Sequence, residues 1–146
     1  MRGVWGRLDQ RMIRFMSRQG ARILRICLGN VFVWFGLLKV IGQSPVAELV
    51  AHTVYWVPSE LFIPFLGVWE IAVGIGLLLA VALRLTLLLF WLQMAGTFLV
   101  LVVKPNIAFQ GGNPLLLTTE GEFVIKNLVL IAAGLVVGGT VQQDGK

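Results

Sequence analysis

The sequence predicts an all-α integral membrane protein that forms a four-helix bundle. Of its 146 residues 58% are hydrophobic, and only 13% are Asp, Glu, Lys or Arg. A soluble domain is about one quarter charged, so most of this chain is expected to contact lipid. Because a membrane-spanning helix needs roughly 20 predominantly apolar residues, the length allows about four or five spans in a single membrane domain.

The first 20 residues predict a basic amphipathic helix that lies in the membrane interface. Apolar side chains recur every three or four positions at Trp5, Leu8, Met12, Phe15 and Met16. Arginines fall on another side of the helix, at Arg7, Arg11, Arg14 and Arg18. This pattern favours binding to anionic lipid headgroups, and we expect Gly20 to end or kink the helix. The formal charge of +5 is explained in the same way, without a nucleic-acid partner.

Four apolar segments predict the spans, at about 23–42, 60–83, 85–104 and 120–140. Between the first two, Ser44-Pro45 predicts the start of a short amphipathic helix on the outer surface, which Pro58 ends. Arg84 is expected in a tight inner turn. Thr119 and Glu122 form a predicted capping box that begins the fourth span. Residues 141–146 form a short polar tail.

The distribution of basic residues predicts the orientation of the chain. Nine of the 12 Lys and Arg residues fall on one side of the predicted membrane: Arg2, Arg7, Arg11, Arg14, Arg18, Arg22, Arg25, Arg84 and Lys146. The positive-inside rule places that side in the cytoplasm. We therefore expect a multi-pass protein of the bacterial plasma (inner) membrane with both termini in the cytoplasm.

The chain has few residues for metal or redox chemistry. Cys27 is its single cysteine, so a protein dithiol is excluded, and we expect Cys27 to be a small buried apolar residue. His52 is the single histidine, which excludes bis-histidine haem ligation. The sequence therefore predicts no metal site and no intrinsic cofactor.

Charged residues inside the predicted spans are the candidate functional residues, because charges at membrane depth are costly and often functional. Glu70 lies about ten residues into the second span. We expect a polar cluster in the outer half of the bundle, formed by Lys39, Glu70, Gln93, Glu122, Lys126 and Asn127. The alternative is a structural ion-pair network that fixes helix register. Leu115, Leu116 and Leu117 are expected to fold back over the outer end of this cluster. Gly134 and Gly138 form a GxxxG, which favours packing within the monomer over dimerisation.

Several phrases of the sequence resemble the DoxX-like family of small membrane proteins, and most of all its YkgB-type branch. They are Gly29–Lys39 (GNVFVWFGLLK), Trp69-Glu70-Ile71 with Gly74 and Gly76, Gly112–Leu115 (GNPL) and Glu120–Asn127 (EGEFVIKN). The resemblance covers about residues 20–140 and implies a four-helix bundle, with Lys39, Glu70 and Lys126 at family positions. Some members of that family are associated with quinone-linked sulfur oxidation or with defence against reactive oxidants, usually beside redox partners, and the resemblance implies a setting of this kind. The segment between the first two spans is shorter than in the YkgB branch.

These observations leave three functional hypotheses open. The first is an accessory subunit of a membrane redox or respiratory complex, bound to other membrane protein subunits and without catalytic activity of its own. The second is a quinone-binding oxidoreductase subunit, in which the charged cluster contacts a quinone or a lipid. The third is a small transporter or channel-like module.

Overall fold

A computed structural model describes residues 4–141 of the chain, and this part is almost entirely helical. The helices are α1 (Val4–Val40), α2 (Ala47–Thr53), α3 (Ser59–Leu79), α4 (Leu83–Val103), α5 (Pro105–Ala108) and α6 (Thr119–Thr140), with a 3₁₀ turn at Gln110–Gly112. Four of them, α1, α3, α4 and α6, are long and apolar enough to cross a membrane. The prediction of four apolar helices is therefore confirmed. Nearly all of the predicted polar tail, residues 142–146, lies outside the described residues.

Helix α1 is one continuous helix of 37 residues, which corrects the prediction of a separate helix over residues 1–20. Gly20 lies inside α1 and does not end it. An isolated glycine costs a helix about 1 kcal/mol relative to alanine, which is too little to interrupt favourable segments on both sides. At ~1.5 Å per residue α1 is about 55 Å long, whereas a hydrocarbon core is about 30 Å thick. The N-terminal part of α1 therefore extends beyond the other long helices.

The four long helices contact one another in a ring, in which α1 packs on α3, α3 on α4, α4 on α6, and α6 on α1. The α1–α3 contact is the most extensive and depends on glycines. A Cβ built on Gly36 would lie 2.5 Å from the carbonyl oxygen of Gly67, and one on Gly29 would lie 2.9 Å from that of Gly74. Only glycine fits at such backbone approaches, so these residues fix how α1 and α3 cross.

Helices α1 and α3 are antiparallel, so the end of α1 lies beside the beginning of α3. At this end of the molecule, α3 extends farther than α1 past the point where the two helices cross. Gly36 meets Gly67, and α1 ends at Val40, whereas α3 begins eight positions before Gly67, at Ser59. At ~1.5 Å per residue, the first turns of α3 extend about 12 Å past this crossing. Helix α2 packs beside them, against α3 and α4. We call this end of the molecule the α2 end, and the opposite end, marked by Arg25 and Arg84, the arginine end.

The turn between α3 and α4 lies at the arginine end and differs from the prediction that Arg84 forms it. The turn consists of residues 80–82, and Arg84 belongs to the first turn of α4. Ala80 and Ala82 both have positive φ, at 56° and 45°. The Val81 N–H donates to the carbonyl of Gly76, which closes the end of α3. A short non-glycine turn of this kind carries backbone strain.

Two predicted helix starts are corrected by the structure. The cap of α6 is Thr118, one residue before the predicted Thr119, because the Thr118 hydroxyl accepts a hydrogen bond from the Gly121 N–H at 3.0 Å. Helix α2 begins at Ala47 without a side-chain cap, two residues after the predicted start at Pro45.

The loop before α6 does not fold over the molecule as predicted. Leu115 is 87% exposed and Leu116 is 52% exposed. An isolated bridge pairs Phe109 with Leu117, and the backbone N–H of Thr118 donates to the carbonyl of Ala108. These contacts hold the loop as an outward turn between α5 and α6.

Candidate functional site

Lys39 on α1 and Glu70 on α3 form a buried ion pair. Lys39 Nζ lies 2.9 Å from Glu70 Oε1 and 2.8 Å from Oε2, so the ammonium donates to both carboxylate oxygens. The side chains of the two residues are 6% and 9% exposed. A buried charge without a partner is strongly unfavourable, so each of these side chains depends on the other.

The glycine crossing places these two charges opposite each other. Lys39 follows Gly36 by three positions and Glu70 follows Gly67 by three positions, so each charged side chain lies on the same helix face as its glycine. The Cβ of Lys39 lies 2.9 Å from a Cβ built on Gly67. The close approach of α1 and α3 therefore sets the geometry of the pair.

Gln93 on α4 is the third member of the cluster. Its amide Nε2 donates a hydrogen bond to Glu70 Oε1. This contact fixes the orientation of the amide, since a flipped amide would place two acceptors together. The amide oxygen Oε1 is then buried and lacks a hydrogen-bond partner among the described residues. Buried polar atoms almost always have partners, so this oxygen is a candidate ligand contact.

The structure brings together three of the six predicted site residues and separates two others from them. Lys126 Nζ lies 3.8 Å from Glu122 Oε2, and the side chains of these residues are 76% and 59% exposed. This is a surface pair on α6, and it does not join the buried cluster. Asn127 is half-buried and lines the cavity described next.

A cavity of about 520 Å³ lies beside the cluster at the α2 end. Its volume falls within the range of small-molecule sites, and it is open on one side. The polar lining comes from Lys39, Glu70, Gln93, Thr97, Asn127, Thr53 and Ser44, and the remaining lining is almost wholly apolar. Phe65, Leu92 and Trp56 line the cavity and are also more than half exposed.

Helix α2 forms one wall of the cavity, and the sequence analysis did not anticipate this role. Leu49 and Thr53 are the buried residues of α2. Leu49 belongs to an apolar cluster with Val100 and Val124. A larger apolar cluster around Phe90 fills the part of the bundle nearer the arginine end. The cavity is bordered by both clusters and lies between α2 and the parts of α1, α3, α4 and α6 near the α2 end. The helical spacing of Leu49 and Thr53 was the available signal.

The hydrogen-bonding capacity of the cluster defines the chemistry it can recognise. An ammonium has three protons, and the hydrogen bonds of Lys39 to Glu70 use two of them. The third proton is a donor, and Gln93 Oε1 is an acceptor. A complementary ligand therefore carries a small polar group that both accepts and donates, attached to an apolar body that fits the rest of the cavity.

Other residues singled out in the sequence lie apart from this site. Cys27 is exposed, which corrects the expectation that it is buried. His52 pairs with Glu48 at 3.6 Å on the exposed face of α2. Among residues 4–141, no group of three or more His, Cys, Asp or Glu side chains could hold a metal ion.

Arg25 has a structural role that the sequence analysis did not identify. Its guanidinium donates to the carbonyl of Leu77 and, at 3.1 Å, to that of Leu78. It thereby satisfies the last carbonyls of α3, where a positive charge also interacts favourably with the helix dipole. A Cβ built on Gly134 would lie 2.5 Å from the Phe90 ring, and one on Gly138 would lie 3.7 Å from Leu87. Both glycines of the predicted GxxxG therefore face α4, as expected for packing within the monomer.

Comparisons of the chain with protein-family models, with curated proteins and with solved structures found no match in any of the three. The resemblance to the DoxX-like family therefore stays a prediction from the sequence.

Proposed function

We propose that this protein is an integral membrane four-helix bundle that binds a lipophilic molecule through a small polar head group. The observation that carries the proposal is the buried, unpaired oxygen of Gln93 beside the Lys39–Glu70 pair, at the polar side of an otherwise apolar cavity. The ligand's apolar body lies against the aromatic lining, and its head group contacts Gln93 and Lys39.

A purely structural ion pair explains less of this arrangement. A pair that only fixes helix register needs neither an open cavity next to it nor an unpaired acceptor. The surface of the cavity offers an entrance from lipid, since Phe65 and Leu92 are both exposed and part of its lining. These features support recognition of a molecule that is dissolved in the membrane.

The proposal takes up the second functional hypothesis from the sequence and makes it more general. A quinone-binding subunit is one form of it, and binding of a lipid is another. The proposed setting is the bacterial inner membrane with both termini in the cytoplasm, which places the α2 end and the cavity toward the outer surface. The accessory-subunit and transporter roles stay predictions from the sequence.

Purification of the full chain in mild detergent, followed by mass spectrometry of a solvent extract, tests the proposal. We expect one lipophilic species at close to one molecule per chain. Gln93→Leu removes the unpaired acceptor, together with the hydrogen bond that the amide donates to Glu70, while keeping a side chain of similar size. We expect at least a tenfold loss of this species, or about 1.4 kcal/mol of binding. Lys126→Met is the matched control, because it removes an exposed charge outside the cavity, and it should retain the species.

The outcomes distinguish the hypotheses. A retained quinone supports the oxidoreductase-subunit form, and a retained phospholipid or isoprenoid alcohol supports the lipid form. Equal retention in wild type and in a folded Gln93→Leu variant would contradict the proposal. Stoichiometric co-purification of another protein without any small molecule would favour the accessory role instead.

A further inference from the structure

The N-terminal part of α1 extends beyond the other long helices as an exposed rod. We call residues 4–20 the α1 extension. Its side chains are almost all exposed between Trp5 and Arg18. Seventeen helical residues are about 25 Å long, so the extension is nearly as long as the part of α1 that packs against α3. Trp5 is 84% exposed and Met12 is 63% exposed, which is unfavourable in water.

Two stripes of side chains run along the extension, and each continues into the packed part of α1. The arginine stripe consists of Arg7, Arg11, Arg14 and Arg18, and helical spacing continues it through Arg25, Gly29 and Gly36, which contact α3. The apolar stripe consists of Trp5, Leu8, Met12 and Met16, and it continues through Ile23, Ile26, Trp34 and Leu37, which are exposed on the packed part. The arginine stripe thus follows the α3-facing side, and the apolar stripe follows the lipid-facing side.

This continuity determines which way the extension can turn. If α1 bends away from α3 at the membrane surface, its lipid-facing side becomes the side that faces the membrane. The exposed apolar stripe would then lie in the lipid interface, and the arginine stripe would lie beside it, toward headgroups and water. A bend in the opposite direction would place the apolar stripe in water.

Gly20 lies where such a bend is needed. Apart from the adjacent backbone of α1 itself, no atom of residues 4–141 lies within 4 Å of a Cβ built on it, so no described neighbour holds α1 straight there. Glycine also permits a wider range of backbone angles than any other residue.

The charge of the extension indicates which lipids it contacts. It has four arginines against one acidic residue, Asp9. Arg11, Arg14 and Arg18 line one shallow groove together with Phe15 and Gln19. Guanidinium groups match the geometry of phosphate oxygens, and a negatively charged leaflet attracts basic segments close to it.

We propose that the continuous helix α1 bends near Gly20 when it meets the membrane surface, and that the α1 extension then docks on the anionic lipid surface at the arginine end with its apolar stripe in the interface. This proposal rests on the two stripes, on the open surroundings of Gly20 and on the charge of the extension, and it is independent of any ligand in the cavity. Its failure would leave the proposed function unchanged.

Spin labelling of the full chain in vesicles tests the proposal. In a Cys27→Ser background, Met12→Cys places a nitroxide on the apolar stripe, and Ser17→Cys is the matched control on the polar side of the same helix. Collision rates with oxygen and with an aqueous nickel reagent give the depth of each label. In vesicles that contain phosphatidylglycerol, we expect the label at position 12 about 5–10 Å below the headgroups and the label at position 17 in water.

Removal of arginine charge from the α1 extension tests whether anionic lipid holds it at the surface. Combined Arg7→Gln, Arg11→Gln and Arg14→Gln substitutions should lower the ratio of docked to undocked helix about fivefold for each arginine removed. Arg84→Gln, at the start of α4, is the control and should leave the depth unchanged. A label at position 12 that stays in water would overturn the proposal. So would equal depth in purely zwitterionic vesicles, or burial only when a second copy or another protein or nucleic acid is added.

Discussion

Lys39 of α1 donates hydrogen bonds of 2.9 and 2.8 Å to the two carboxylate oxygens of Glu70, a residue of α3 that lies 31 positions away in the sequence. The amide of Gln93, on α4, donates a further hydrogen bond to Oε1 of the same carboxylate. The pair is thus held by three different helices, and it forms the polar side of a cavity that is otherwise apolar.

Removal of one member of this pair should be strongly destabilising. Glu70→Gln leaves the Lys39 ammonium buried without its counter-charge, and we expect a loss of about 3–5 kcal/mol in the free energy of unfolding. Glu122→Gln breaks the exposed pair with Lys126 and should change it by no more than about 0.5 kcal/mol. Denaturant titration in mixed micelles measures both values. Equal effects of the two substitutions would show that Lys39 and Glu70 are not a buried pair in the membrane.

The glycine crossing predicts a steric effect. Gly36→Ala places a Cβ 2.5 Å from the Gly67 carbonyl oxygen, and because that atom belongs to the backbone, α1 and α3 have to separate. We expect a loss of about 1–3 kcal/mol, typical of overpacking. Gly139→Ala, on α6, has no atom of another helix within 4 Å of its new Cβ among residues 4–141 and should be neutral or stabilising, since alanine favours helix. The same denaturant titration distinguishes the two, and a neutral Gly36→Ala would contradict the close α1–α3 contact.

The position of the α6 cap predicts a difference between adjacent threonines. Thr118→Ala removes the acceptor of the Gly121 N–H and should lower the free energy of unfolding by about 1 kcal/mol. Thr119 is exposed in the first turn of α6, so Thr119→Ala should have little effect on the free energy of unfolding. A larger loss for Thr119→Ala would instead support the capping box that the sequence suggested.

The α3–α4 turn predicts a stabilising substitution. Ala82 has a φ of 45°, and a left-handed conformation costs a residue with a Cβ roughly 1–2 kcal/mol. Ala82→Gly should therefore raise the melting temperature. Ala72→Gly, at an exposed position inside α3, should lower it because glycine weakens helices. A decrease for both would indicate that the turn does not have this backbone conformation.

The sequence predicted the four apolar helices well, since long apolar segments follow directly from composition. It failed at boundaries that depend on small local free energies. Gly20 is a weak helix breaker, and adjacent threonines at 118 and 119 are both acceptable caps. Which threonine caps α6 depends on the position of α5, because the Ala108 carbonyl accepts a hydrogen bond from the Thr118 N–H. The sequence does not give that position.

The buried pair was predicted from the rarity of charges at membrane depth, but the membership of the cluster was not. Lys126 lies two positions after Val124, which is 1% exposed. Two positions turn an α-helix by about 200°, so a side chain two residues from an inward one points outward. The cavity could not be predicted, because five helices line it and the sequence does not give the position of α2 among the other four.

A steric block tests most directly whether the cavity beside Lys39 and Glu70 holds a lipophilic molecule. Gly96 lines the cavity, and outside its own helix backbone no described atom lies within 4 Å of a Cβ built on it, so Gly96→Phe would obstruct the cavity without displacing the charged residues. Gly139→Phe is the matched control at another open helical glycine. The measurement is the amount of lipophilic molecule per purified chain. We predict wild-type retention in Gly139→Phe and at least a tenfold loss in Gly96→Phe, whereas equal retention in two folded variants would contradict the account.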